Sequence, residues 1–256
     1  MLRVTNSNVG QGAAVLLLAL ALAGCRSAGP HLVVPLPDVA DYSDLHFVSL
    51  NATSPSHVFI AGFLVLQDGT PEACMLTTRN SGKSWRRVGA DTHDFTGFLP
   101  QDIQFNDRLR GWVSGVRIVD GATIPVVIRT DDGGGHWRES FLAQDRSGVV
   151  LGARDLHFDS DETGRVAIHY VEATGKKELV NIFSTKDGGR NWVVAELLDD
   201  IPPPRDTAER MVSSDQGFRL IPADESGPYR VVFTADARRH WVPFASFKLE
   251  DLRTWY

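Results

Sequence analysis

The densest run of side chains able to hold a proton or a cation is Asp91-Thr92-His93-Asp94. Two carboxylates and an imidazole so close together are raw material for a metal site or an acid–base pair. A zinc site wants three or four ligands at fixed spacing, and no second His or Cys pair accompanies this run. It reads as a polar loop, with Asp91, His93 and Asp94 as candidate binding residues. Gly133-Gly134-Gly135 resembles a phosphate-cradling loop only superficially, because no Lys-Ser/Thr ending and no helix follow it. Tyr42, Tyr170, Tyr229 and Tyr256 have no evident Glu partner of the kind a tyrosine nucleophile needs as its base. No catalytic residue, metal or cofactor is therefore expected.

The carboxylates that recur at fixed spacing belong to a repeated eight-residue phrase. Its copies carry Thr78, Asn80, Gly82 and Trp85; Thr130, Asp132, Gly134 and Trp137; Thr185, Asp187, Gly189 and Trp192; and Thr234, Asp236 and Trp241. Successive tryptophans stand 52, 55 and 49 residues apart, a period that marks one supersecondary unit repeated. An Asp or Asn at the third position accepts backbone N–H groups ahead of it, a Gly takes positive φ, and the Trp returns onto a sheet. These residues are expected to be structural. Arg238 replaces the Gly in the last copy and Asn80 the Asp in the first, so those two turns are expected to be looser.

Each phrase follows short β-rich runs. First strands are expected at Asp44–Phe47, Asp102–Phe105, Asp155–Phe158 and Arg210–Val212. His46 and His157 then occupy equivalent places, with Gln104 between them, a pattern suited to hydrogen bonds between units. Second strands are expected at Val58–Phe63, Trp112–Ile118, Val166–Val171 and Phe218–Ile221, with a third before each phrase and a fourth beginning at each Trp. Past the N-terminal segment no long apolar run has a helical period, so the fold class is all-β. The expected architecture is a β-propeller of four blades with four antiparallel strands each, at about 44–90, 101–142, 154–197 and 209–244. Residues 25–43 would be a linker and 245–256 a tail or closing strand. The ring closes alone, or two chains pair through open edges.

The phrase resembles the Asp-box, or bacterial neuraminidase repeat, of β-propellers. Paired with Gly111-Trp112-Val113-Ser114-Gly115, it looks most like the photosystem II assembly-factor-like propeller group. Sialidases share the Asp-box, but their Phe/Tyr-Arg-Ile-Pro motif finds only Phe218-Arg219-Leu220-Ile221-Pro222 here, inside an expected strand of the last repeat. The resemblance implies a protein partner and leaves a carbohydrate-active enzyme or glycan-binding module as the alternative.

The N-terminus suggests an address. Ala13–Ala23 is an apolar run of signal-peptide length, and Leu22-Ala23-Gly24-Cys25 resembles the bacterial lipobox. That implies a signal peptide over 1–24, lipidation at Cys25 and membrane attachment in the cell envelope, at the outer membrane facing the periplasm if there are two membranes. Cys74 would then be the one thiol left, with no internal disulfide. A formal charge of −6 offers no basic field for nucleic acid. Long inter-blade connections are the candidate binding loops, among them Pro202-Pro203-Pro204 with Arg205 and Asp206.

Overall fold

Apolar runs of five to ten residues, punctuated by Gly, Asp and Asn, are too short for helices and suited to strands. The structure, a computed structural model, describes residues 31–32, 42–89, 92–142, 148–172, 178–198, 208–222 and 228–247. All the regular elements among them are strands. The first sheet comprises β1 (His31–Leu32), β2 (Tyr42–Ser54), β3 (His57–Leu66), β4 (Pro71–Thr78) and β5 (Ser84–Arg87). The second comprises β6 (Phe98–Phe105), β7 (Gly111–Val119), β8 (Ala122–Thr130) and β9 (Arg138–Phe141). The third holds β10 (Gly148–Phe158), β11 (Gly164–Glu172), β12 (Glu178–Thr185) and β13 (Val193–Leu198). The fourth holds β14 (Glu209–Met211), β15 (Gly217–Ile221), β16 (Tyr229–Thr234) and β17 (Val242–Phe247).

Each sheet is an antiparallel meander, and the first strands β2, β6 and β10 lie side by side, with β14 against β2. That is a four-bladed β-propeller, the all-β architecture expected from the repeat. One strand falls outside the pattern. β1 pairs in parallel with β5 (His31 with Ser84, Leu32 with Trp85) and covers the outer edge of the first blade.

Strand register corrects one sequence expectation. Phe105 pairs with Gly111, Phe158 with Gly164 and Met211 with Gly217. The corresponding pair in the first blade is Ala52 with Val58, so Phe47 lies five residues upstream of the repeat position. β2 is longer than its counterparts and carries three register shifts, which break a simple phase count from its start. Consequently Asn51, and not His46, is the counterpart of Gln104 and His157. Asn51 Oδ1 accepts the Phe105 N–H at 3.1 Å, and Gln104 Oε1 accepts the Phe158 N–H at 2.9 Å. His46 instead meets Asp44 at 2.9 Å, and His157 meets Asp159.

Three seams between blades are apolar. Phe105 stacks on Phe59 and meets Trp137 edge-on between blades one and two. Phe158 stacks on Trp112 and meets Trp192 edge-on between blades two and three. Blade four closes on blade one through Phe218, Leu220, Val231 and Phe247 against Phe47, Leu50 and Trp85. The register equivalents at the seam between blades three and four are Arg165, Met211 and Trp241. Among the described residues no apolar cluster joins those two blades. Trp241 carries the Arg219 guanidinium on its ring at 4.6 Å instead.

Candidate binding face

The repeated turns lie at one end of every blade, tied to the turn between its first two strands. Ser81 N–H donates to Ser56 O, Gly133 to Leu109 O, Gly188 to Glu162 O and Ala237 to Asp215 O, all within 2.8–3.2 Å. Inside each turn the Thr hydroxyl donates to Asn80, Asp132, Asp187 or Asp236 Oδ1 at 2.8–3.0 Å. The same hydroxyl accepts the N–H of Gly82, Gly134, Gly189 or Arg238 at 2.9–3.2 Å. Oδ1 also accepts the N–H of Ser84, His136, Asn191 or His240, each at 2.9 Å. The first and last turns make the same bonds as the other two. Arg238 does so at φ 70°, in the left-handed region that costs a side chain energy.

These bonds also settle the charge state of the turn carboxylates. Backbone and side-chain hydrogen bonds from Asn191 hold Asp187 down at about 2, and those from His240 do the same for Asp236. Burial works against Asp132, but its bonds from His136 prevail and it too lies at about 2. A carboxylate this well satisfied serves the turn.

The opposite end, where second strands turn into third strands and blades connect, is less self-contained. His93 and Asp94 lie here. His93 Nε2 meets Glu139 Oε1 at 3.0 Å, and the same oxygen receives Arg117. Arg117 also donates to Thr96 O at 2.7 Å and Asp94 O at 3.2 Å, while its guanidinium lies 5.7 Å from the Phe98 ring centre. Burial would raise the Glu139 carboxyl, but His93 and Arg117 outweigh it and hold it below the usual range. Asp94 is held low chiefly by the Thr96 N–H. Arg117 and Glu139 sit in ordinary strand positions of β7 and β9, and no sequence motif marks them. Asp91, Pro203, Arg205, Asp206 and Cys25 lie outside the described residues.

Nearer the ring centre, Asp102 spans three blades. It takes the Ser49 hydroxyl at 3.1 Å, the Ile103 N–H at 2.8 Å and the Leu156 N–H at 3.0 Å. Burial dominates these bonds and pushes the carboxyl up to about 6. With every bond directed into the inner strands, Asp102 fastens them together. One sequence expectation is corrected on the first blade: Tyr42 does have a Glu partner, brought to it across the sheet from 30 residues away, its Oη donating to Glu72 Oε2 at 2.8 Å while Glu72 Oε1 receives Arg87. Cys74 is fully buried nearby, its thiol pushed up to about 11 by burial, so it packs as a small apolar group.

The loop end also exposes large apolar side chains. Ile118 and Val119 end β7, and Val149 and Leu151 begin β10, each between 40% and 63% exposed; Phe141, also exposed, lies at mid-blade height opposite Val126. β10 runs against β7 and β8, which brings these strand ends to one side of blades two and three. Among the described residues no group of three His, Cys, Asp or Glu side chains could hold a metal ion.

No protein-family model matches this chain, and no curated protein sequence matches it. Solved structures of similar shape include the α-L-arabinofuranosidase Arb93A of Fusarium graminearum with an iminosugar inhibitor. A mutant form of that enzyme matches with a TM-score of 0.45 and 15% identity, over 78% of this chain and 58% of that one. A second structure of it gives 0.39 and 14%, over 79% of this chain and 71% of that one.

Proposed function

We propose that this chain is a lipid-anchored propeller of the bacterial cell envelope that binds a protein partner through the loop end of blades two and three. The four turns are read as Asp-boxes that fasten the blades. The observation that carries the binding reading is the exposure of Ile118, Val119, Val149 and Leu151 at the loop ends of β7 and β10, strands joined by the Ser114 hydroxyl donating to Ala153 O. Exposed apolar residues collected on one side of a domain mark interaction surfaces. His93, Arg117 and Glu139 supply a polar border to the patch.

A second reading, a carbohydrate-active or glycan-binding propeller, is favoured by Glu139, a largely buried carboxylate held beside an imidazole and a guanidinium on the same face. One experiment separates the two. A photo-crosslinking residue is placed at Val119 or Val149, and at Leu109 on the turn end as a control. The binding reading expects a discrete envelope protein captured from the first two positions and not from Leu109, and capture from Leu109 alone overturns it. Hydrolysis of an aryl α-L-arabinofuranoside or another aryl glycoside that is lost in Glu139→Gln establishes the second reading.

A further inference from the structure

The turn end between blades one and two concentrates positive charge. Register places Phe59 opposite Thr77 and Thr77 opposite Arg86, on the face whose Phe59 stacks against the second blade. His57 and Arg79 lie two residues from Phe59 and Thr77 on the same strands' course, at the turn end of that face. Arg79 reaches across the seam. Its Nη2 is 3.0 Å, and the Arg108 carbonyl 2.6 Å, from the point where a Cβ on Gly133 would stand. Arg79, Arg86 and Arg108 converge electrostatically on His57: burial first, then these three charges, push its imidazole down to about 4.

None of the three arginines has a carboxylate partner among the described residues. Neighbouring acids are engaged elsewhere, Asp131 by Arg129 at 2.9 Å and Asp107 by Arg110 at 2.9 Å. His57 is 1% exposed, and its Nε2 has no hydrogen-bond partner among the described residues, while Nδ1 faces Thr53 Oγ1 at 3.3 Å. A buried nitrogen without a partner, within the field of three arginines that lack carboxylate partners among the described residues, is an incomplete polar site. In a chain of net charge −6 such a concentration runs against the overall field.

We propose that Arg79, Arg86 and Arg108, with His57 beneath them, form a phosphate-binding site at the turn end of the seam between blades one and two. Planar guanidinium groups match phosphate oxygens in pairs, and a bound anion offsets the arginine repulsion that adds to burial in keeping His57 neutral. The phosphate comes from solution or from a lipid headgroup. β1 favours the headgroup, because it runs parallel to β5 and so enters from the turn end. Cys25 precedes His31 by six residues, a reach of at most about 20 Å. The headgroup source rests on the lipid-anchor reading, whereas the phosphate site does not.

The test uses the full chain with Cys25→Ser, titrated with inorganic phosphate while the His57 imidazole is followed by NMR. A saturable His57 shift is expected, with affinity reduced about tenfold or more in Arg79→Gln/Arg108→Gln. Arg86→Lys provides a second variant that retains charge and loses the fork, and is expected to weaken binding less. No His57 shift, or equal affinity in well-folded variants, overturns the site. Sedimentation with phosphatidylglycerol and phosphatidylcholine vesicles then distinguishes the source. Loss of the phosphatidylglycerol preference in the double variant identifies a headgroup, and an unchanged preference alongside phosphate binding identifies soluble phosphate. Acyl labelling of the unsubstituted chain reports separately on Cys25.

Discussion

Phe105 lies flat on Phe59 across the first seam, with ring centres 3.6 Å apart and planes 4° from parallel. Phe158 repeats the arrangement on Trp112 at 3.8 Å and 12°. Each sandwich is closed by a turn tryptophan standing edge-on. The ring is therefore held by repeated aromatic joints, and the joint missing its partners is the one where Arg165 and Met211 replace them.

Phe105→Ala and Trp137→Ala are each expected to destabilise the domain by about 3–5 kcal/mol, since each empties a buried joint. Trp241→Ala, losing mainly a guanidinium contact at a partly exposed ring, is expected to cost about 1 kcal/mol. Urea unfolding of the three variants provides the comparison. Equal losses at all three positions would contradict unequal seams.

The Thr130 hydroxyl donates to Asp132 and accepts from Gly134, so Thr130→Val strands the buried Gly134 N–H and takes one donor from Asp132. A loss of about 1–3 kcal/mol is expected. Gly134→Ala adds strain at φ 90° and meets Val88 Cβ at 2.9 Å, at a further cost of about 1–3 kcal/mol. Thermal unfolding would reveal either change, and a neutral Gly134→Ala would show that the turn relaxes freely.

Stability should vary with pH in two opposite directions. The Asp102 carboxyl is raised to about 6 in the fold, so its contribution is full below the unfolded value and falls as pH rises from about 4 to about 6. The shift corresponds to ~3 kcal/mol. The turn aspartates Asp132, Asp187 and Asp236, lowered to about 2, contribute above about 4 and lose their contribution as pH falls through about 2. Unfolding free energies measured between pH 2 and 7 should therefore peak near pH 4 in this pair of effects. Asp102→Asn should flatten the limb between 4 and 6. A limb that persists in that variant would assign it to other groups.

Glu139→Gln removes the counter-charge of a guanidinium that is largely buried. The expected loss is ~2 kcal/mol, below the ~3–5 kcal/mol of a fully buried pair because both side chains keep some contact with water. Hydrogen exchange should quicken at Gly97 and Ile118, whose N–H groups donate to Pro71 O and Gly97 O. Unchanged protection there would mean that Arg117 anchors the segment through Thr96 and Asp94 alone.

The turns were legible in the sequence because they are local: the bonds that close the Thr130–Trp137 phrase, from Thr130 to Asp132, from Gly134 to Thr130 and from His136 to Asp132, lie within its own eight residues. Strand positions after Gly111 and Gly164 were legible for the same reason. Phe47 misled because Leu45 and Phe47 alternate just as Leu50 and Ala52 do, and only pairing across the three irregularities of β2 distinguishes them. Arg117 and Glu139 are 22 residues apart and meet through the fold, so neither carried a local signal. The weak seam was written in Arg165 and Met211, but it is readable only once their register equivalents Trp112 and Phe105 are known to touch aromatic partners.

The position of that seam has a kinetic consequence. Blades three and four are consecutive in the chain, yet blade four finds its apolar partner in blade one, where Tyr229 and His46 are separated by 183 residues. During synthesis the first three blades can condense in order, each onto the one before. The fourth must await a surface made long before it and return across the whole molecule to reach it. Loop closure over such a span is slow relative to neighbour-by-neighbour growth. An intermediate of three docked blades with the last unplaced should therefore accumulate during refolding.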